Sequence, residues 1–265
     1  MPTINNLEWT FDKVPELYAK IRPSYPTELY ESIFDYLNVD DNSKLIEIGI
    51  GGGQATPPFL NSGCDLTAIE YGENLSELCR EKFKDYPKFK VVTGKFEDIE
   101  IPENTYDLIY SASAFHWVPE EIGYIKVYNS LVSGGVFARF ANHPFRCKNE
   151  PALSQAIDEL YERYYYSYYN KAPAAPSEYT EEDAKLRADI ALKYGFKDVT
   201  YKLFNRIREF SAQEYIQLLG TYSDHIAIEE SIREKFFNEI ENTIDGFGGT
   251  IKLYDTIDLQ MARKE

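Results

Sequence analysis

A chain of 265 residues with 43% hydrophobic content can bury a substantial core, enough for one elaborated domain or a domain with a small cap. Its 28 Lys and Arg against 44 Asp and Glu leave a formal net charge of −16, the wrong sign for holding a phosphate backbone, and the basic residues form no run, so no nucleic-acid partner is expected. Uninterrupted apolar stretches of about 18 residues are missing, the start Met-Pro-Thr-Ile-Asn-Asn-Leu-Glu lacks the basic and apolar regions of a secretory signal, and the three cysteines Cys64, Cys79 and Cys147 are odd in number and widely spaced. The expectation is a soluble protein of the reducing cytoplasm, with no membrane partner, no disulfide framework and no metal site.

The first elements read as helices. One carries Val14, Leu17 and Tyr18, and a second runs from Thr27 to Leu37 behind Pro26, with Leu29, Ile33, Phe34 and Leu37 on one side. From residue 44 to residue 142 short apolar runs alternate with amphipathic helical stretches, the pattern of right-handed βαβ crossovers and a doubly wound, mostly parallel sheet of the α/β class. Residues 150 to 194 are helical in pattern, broken by Lys171-Ala-Pro-Ala-Ala-Pro176, and contain a run of tyrosines at 161, 164, 165, 166, 168 and 169. Alternating apolar positions return at Val199, Tyr201 and Leu203, and again at Ile251, Leu253, Ile257, Leu259 and Met261, so two last strands are expected. This divides the chain into lid helices and core at 1–145, a helical cap insertion at 146–195, and a return to the core at 196–265.

The richest stretch is Leu45-Ile46-Glu47-Ile48-Gly49-Ile50-Gly51-Gly52-Gly53-Gln54, an apolar strand running into a glycine-rich turn. Glycines adopt positive φ and let a ligand approach the backbone, and a helix after the turn offers unpaired N–H groups. A second acid, Glu70, ends the next apolar run, about twenty residues on, where a ribose-binding carboxylate is expected. The dinucleotide fingerprint G-x-G-x-x-G fails at its third glycine, where Gln54 stands, which disfavours an NAD-dependent oxidoreductase.

The spacing Glu47, Gly49, Gly51, Gly53 resembles the first motif of the class I S-adenosylmethionine-dependent methyltransferases. The resemblance continues in order through Leu66 to Glu70, Phe89 to Thr93, Tyr106 to Trp117 and Gly134 to Phe140. The run Phe11-Asp12, Tyr18, Arg22-Pro23, Tyr25-Pro26 is similar to the small-molecule, trans-aconitate methyltransferase-like branch. It implies a Rossmann-like seven-stranded sheet with an antiparallel last strand, S-adenosylmethionine as cofactor, S-adenosylhomocysteine as product, and a methyl acceptor (an oxygen, nitrogen or carboxylate) on a small molecule. A non-catalytic cofactor-binding module is the alternative.

The resemblance also implies a cofactor site. Gly49 and Gly51 pass beside the methionine and ribose, Gln54 closes the turn, Glu70 accepts from the ribose hydroxyls and Tyr71 flanks the adenine. Glu47 orients the glycine loop or meets the cofactor's amino group, against the competing view of a strand-end carboxylate facing water. The family often has an aspartate after the third strand, but Gly94 is followed here by Lys95, which leaves Phe96 and Glu97 to cover the adenine edge. Ser111 and Ala112 line the cofactor at the end of the fourth strand, and Tyr18 and Arg22 fold back over the methionine end, where a guanidinium suits a carboxylate.

His116 is the catalytic candidate, since an imidazole at a strand exit can take a proton from a hydroxyl or amine; with Trp117 and His143 it equally makes a substrate wall. His225 carries no such signal. The tyrosine run offers rings that attract a cation, but spacings of three and four favour the packed side of a helix over a substrate cage. Arg22, Arg139 or Arg146 can reverse the negative potential locally and admit an anionic substrate.

Overall fold

The computed structural model describes residues 7–146, 148–174 and 176–265; Cys147 lies outside them. Its centre is a seven-stranded sheet: β1 Lys44–Ile48, β2 Asp65–Glu70, β3 Phe89–Thr93, β4 Tyr106–Ala112, β5 Leu131–Arg146, β6 Lys197–Ser211 and β7 Thr250–Arg263, in the order β3-β2-β1-β4-β5-β7-β6. The first five strands pair in parallel, β1 lying between β2 and β4. The reversal of strand order at β1 and β4 creates the crevice at which open α/β sheets bind ligands. The sheet is mostly parallel with antiparallel last strands, as expected.

Alternation along each strand sorts side chains to two faces. Leu45 of β1, Leu108 and Tyr110 of β4 and Val136, Ala138 and Phe140 of β5 join one core with Leu29 and Ile33 of helix Thr27–Tyr36 and Phe59 of helix Pro57–Leu60. Ile46, Ile48, Ile109 and Phe137 join the other, with Tyr124 and Val127 of helix Glu120–Ser130 and Phe196. Burial on both faces explains why these strands read as continuous apolar runs.

The chain divides into two compact units. The sheet unit comprises 23–142, 179–204 and 257–265; the helical unit comprises the described residues up to Arg22 with 143–178 and 205–256. The helical unit has its own core, in which Leu153, Ile157 and Leu160 of helix Pro151–Leu160 meet Tyr215, Leu218 and Leu219 of helix Ala212–Leu219 and Phe236, Ile240 and Ile244 of helix Glu230–Gly246. It therefore gathers three stretches of sequence, of which the change in composition near residue 146 marks only one.

Two local expectations are corrected. The helix after the glycine turn is a single turn, Pro57–Leu60, opened by two prolines that carry no N–H, so it does not present the row of donors expected there. The tyrosine run is not a regular helix either: Tyr161–Tyr166 is a π-helical turn between helices Pro151–Leu160 and Ser167–Tyr169. Tyr161, Tyr164, Tyr165, Tyr168 and Tyr169 nevertheless all pack on the core of the helical unit, as their spacings of three and four suggest. Among the described residues no helix is long and apolar enough to cross a membrane.

Candidate active site

The glycine turn leaves β1 with Gly49, Gly51 and Gly53 all at positive φ (72°, 55° and 74°). A Cβ on Gly49 would overlap that of Ala114, and one on Gly53 would overlap the Phe83 ring, so no larger residue fits at either position. The loop uses its own N–H groups to hold this shape: Gly49 donates to the Ile69 carbonyl at 2.8 Å and Gly53 to Ile50 at 3.0 Å. Cys79 and Lys82, from helix Glu73–Lys82, donate to the Gly51 and Gly52 carbonyls at 3.1 and 2.7 Å.

Glu70 closes the loop from β2. One carboxylate oxygen accepts from Gly51 N–H at 2.8 Å and the other from Gly72 N–H at 2.9 Å, which fixes the plane of the group. A carboxylate has about four acceptor sites, so two amide bonds leave it able to accept from hydroxyls as well.

Glu47 is buried, not facing water. One of its oxygens accepts from the Thr56 hydroxyl and the Tyr110 phenol, each at 2.8 Å, and the other is buried without a partner. Burial pushes its carboxyl up to about 7, against the two hydroxyl donors that favour the anion. An acid with one bare oxygen fits an approaching cation such as an ammonium group. The glycine cradle, the ribose-type carboxylate and this half-satisfied acid together fit S-adenosylmethionine.

Residues 46–138 match the family described as a methyltransferase domain. An uncharacterized methyltransferase of Schizosaccharomyces pombe is 24% identical over 230 residues, covering 86% of this chain and 84% of its own. A malonyl-acyl-carrier protein O-methyltransferase of Paenibacillus is 25% identical over 239 residues, covering 85% and 83%. A solved structure from Anaeromyxobacter dehalogenans, assigned as a type II methyltransferase, superposes with a TM-score of 0.60 at 17% identity, covering 91% of this chain and 97% of that one. These similarities support an S-adenosylmethionine-dependent methyltransferase.

The remaining expected residues fall into four groups. Ser111 is buried at the end of β4 and donates to the Ile48 carbonyl at 2.9 Å, so it ties the two central strand ends together, with Ala112 partly buried beside it. Gln54 and Glu97 are partly buried, and Tyr71 is 42% exposed with the Lys95 ammonium 5.1 Å from its ring centre. The Phe96 ring packs into the core against Ile46 and Ile48, so only its backbone is available to a ligand. The Lys126 ammonium caps the Phe96 and Glu97 carbonyls at 2.6 and 3.0 Å.

The candidates after β4 are less enclosed than expected. His116 is exposed, its ring 5.0 Å from that of the partly buried Trp117 in the short turn Phe115–Trp117. His143, in β5, is partly buried. Tyr18 and Arg22 belong to the helical unit, where the Arg22 guanidinium donates to the Thr221 carbonyl at 2.7 Å and lies against the rings of Tyr222 (4.4 Å) and Tyr18 (5.1 Å).

Sequence reasoning missed two features. Ser113 sits at φ 53°, a strained conformation for a residue other than glycine, and its hydroxyl lies 2.8 Å from that of Tyr25 and accepts from Asn142 N–H at 3.3 Å. No sequence signal announces that strain. The helical unit also holds a cavity of about 480 Å³ lined by Arg146, Tyr161, Tyr165, Tyr166 and His225 among others. Of the three arginines singled out, Arg146 is the one that lines it; Arg139 is buried between Phe115 and Tyr124, and Arg22 is held as described.

Proposed function

We propose that this methyltransferase moves a methyl group from S-adenosylmethionine to an oxygen, nitrogen or carboxylate of a small molecule, in the manner of the trans-aconitate methyltransferase-like branch. The observation that carries the cofactor half of this reading is Glu70, a carboxylate held by Gly51 and Gly72 amides beside a loop that only glycine can form. In this reading Glu70 accepts from the ribose hydroxyls, Gly49, Gly51 and Gln54 line the methionine and ribose, and Tyr71, Glu97 and the Phe96 backbone border the adenine. Glu47 receives the amino group, and Ser111 and Ala112 border the sulfonium end.

The acceptor half draws on different support. The sulfonium carbon is already activated, so the protein's contribution is to align a nucleophile and exclude water. A net charge of −16 and the lack of a basic run point away from nucleic acid and toward a small acceptor met in the cytoplasm. The Paenibacillus relative is named as an O-methyltransferase, which favours oxygen among the three acceptor atoms. His116, Trp117 and His143 are read as wall residues for that acceptor.

The test is a calorimetric titration with S-adenosylhomocysteine, followed by a turnover screen over small acids, phenols and amines read by release of S-adenosylhomocysteine. Glu70→Ala is expected to weaken binding at least about tenfold, about 1.4 kcal/mol. Unchanged affinity removes the ribose assignment.

A further inference from the structure

The loop that follows β3 is held from two sides, and one of the two holders lies outside the set of cofactor residues. At its start Gly94 N–H donates to the Glu70 carbonyl at 2.8 Å, so the loop begins on the residue whose carboxylate is read as the ribose acceptor. The Lys95 carbonyl then accepts from Asp98 N–H at 3.0 Å and from Ile99 N–H at 3.3 Å, which closes a turn with Phe96 and Glu97 at its middle. The second holder is Lys126, from helix Glu120–Ser130. Its ammonium donates to the Phe96 carbonyl at 2.6 Å and to the Glu97 carbonyl at 3.0 Å, and it lies 5.2 Å from the centre of the Phe96 ring.

Peptide planarity carries these contacts to the other side of the loop. In a trans peptide the carbonyl and the N–H that follows it point in opposite directions. Holding the Lys95 carbonyl therefore sets the direction of Phe96 N–H, and holding the Phe96 carbonyl sets that of Glu97 N–H. Neither N–H has a backbone acceptor among the described residues. The Phe96 ring, buried against Ile46 and Ile48, fixes the same residue through its side chain.

The helix that carries Lys126 is itself firmly placed. Tyr124 and Val127 are buried in the core, and a Cβ on Gly123 would overlap the Phe115 ring and Val118, so the helix has no room to shift toward the turn after β4. Partial burial pushes the Lys126 ammonium down from the ordinary lysine range, while the Glu97 and Asp98 carboxylates pull it back up. An ammonium drawn out of water needs acceptors in place of the water it gives up, and here the two loop carbonyls supply them.

We propose that Lys126 is a positioning residue for the base of the cofactor: by fixing this loop it aims Phe96 N–H and the Glu97 carboxylate at the adenine edge, and it thereby sets the preference for a 6-aminopurine over a 6-oxopurine. The inference rests on the reading of Phe96 and Glu97 as the adenine border. Adenine offers an acceptor at N1 and a donor at N6, which match an N–H and a carboxylate. Hypoxanthine offers the reverse, a donor at N1 and an acceptor at O6, so the same two groups meet it donor to donor and acceptor to acceptor. A fixed loop cannot turn to repair that mismatch, whereas a loosened one can.

The test is calorimetric titration with S-adenosylhomocysteine and with its 6-oxo analogue, S-inosylhomocysteine. A wild-type preference for the adenine ligand of at least about tenfold is expected. Lys126→Met keeps the aliphatic stem and removes the ammonium, and it should reduce that preference at least about fivefold. A wild-type preference below about tenfold overturns the proposal, and so does a change of less than about fivefold in the variant, as when both ligands weaken alike. Thermal melts check folding, and Lys126→Gln is read in the same way where Lys126→Met does not fold. Loss of the fold in both variants would show that Lys126 supports the sheet unit rather than the base, and also overturns it. Failure of the wild-type protein to bind either ligand would instead remove the cofactor reading on which the proposal stands.

Discussion

Glu47 in the sheet unit and Asp224 in the helical unit respond oppositely to their surroundings. Glu47 of the sheet unit meets only two neutral hydroxyls and keeps one bare oxygen, and burial pushes its carboxyl up to about 7. Asp224 of the helical unit is partly buried, but it faces an imidazole, a backbone N–H and a phenol, and is held below the ordinary range. Burial alone sets neither value; the sign follows from whether the partners can carry positive charge. An acid left short of a cation reads as one that waits for it in a ligand, and an acid already paired needs none.

The largest expected effect strikes the sheet unit at its loop. Gly49→Ala forces a side chain into a left-handed conformation and into overlap with Ala114. The two costs together come to about 3 kcal/mol. S-adenosylhomocysteine titration should show a loss of at least about 100-fold. Unchanged affinity would remove the loop from the cofactor site.

The second prediction uses the sign of the Glu47 shift. Its folded-state value lies above that of an unfolded glutamate, so its protonation stabilises the fold fully below about pH 4.5 and that contribution is lost as pH rises to about 7. The difference is on the order of 3 kcal/mol. Denaturant midpoints measured from pH 4.5 to 8 should fall over this interval in the wild type and flatten in Glu47→Gln. If Glu47 receives the cofactor's amino group, binding of S-adenosylhomocysteine near pH 7 should also release a proton, visible as a buffer-dependent binding enthalpy. A buffer-independent enthalpy removes that role from Glu47.

Much of the sheet unit is legible in the sequence because its signals are local. The apolar run of β1, the glycines that follow and Glu70 at the end of β2 are each recognisable within a dozen residues, and parallel pairing brings β1 and β2 side by side in register. The helical unit is not legible in this way. Arg146, Tyr161 and His225 stand far apart in the chain, and no period in the sequence says that they line one cavity. Spacing in the tyrosine run does pick out the side chains that pack on one core, but not the π-helical turn that carries them. The Phe96 ring belongs to the core, which leaves its backbone N–H, the group expected at the adenine edge, as what it can offer a ligand.

A smaller effect is expected at Asp224. Asp224→Asn keeps the shape and one acceptor oxygen but replaces charge-assisted hydrogen bonds by neutral ones, a loss of about 2 kcal/mol. Because the folded-state value is depressed, the stability this group contributes is present above the range of an unfolded aspartate and is lost as pH falls below it. The variant should therefore be less stable than the wild type at pH 7, with the gap closing in acid; the comparison is by chemical denaturation at both pH values. A gap that persists in acid would show that packing, not charge, holds this pair.

The smallest expected effect decides whether a base lies at the exit of β4. His116 is exposed, so His116→Ala should change stability by no more than about 0.5 kcal/mol. Its ring lies 5.0 Å from that of Trp117 in the short turn after β4. The proposed function gives His116 a wall role. His116→Ala should then raise the acceptor KM by about threefold to tenfold and leave kcat within about threefold, with S-adenosylhomocysteine affinity unchanged. A fall in kcat of about 100-fold with binding intact would give His116 the proton-accepting role instead.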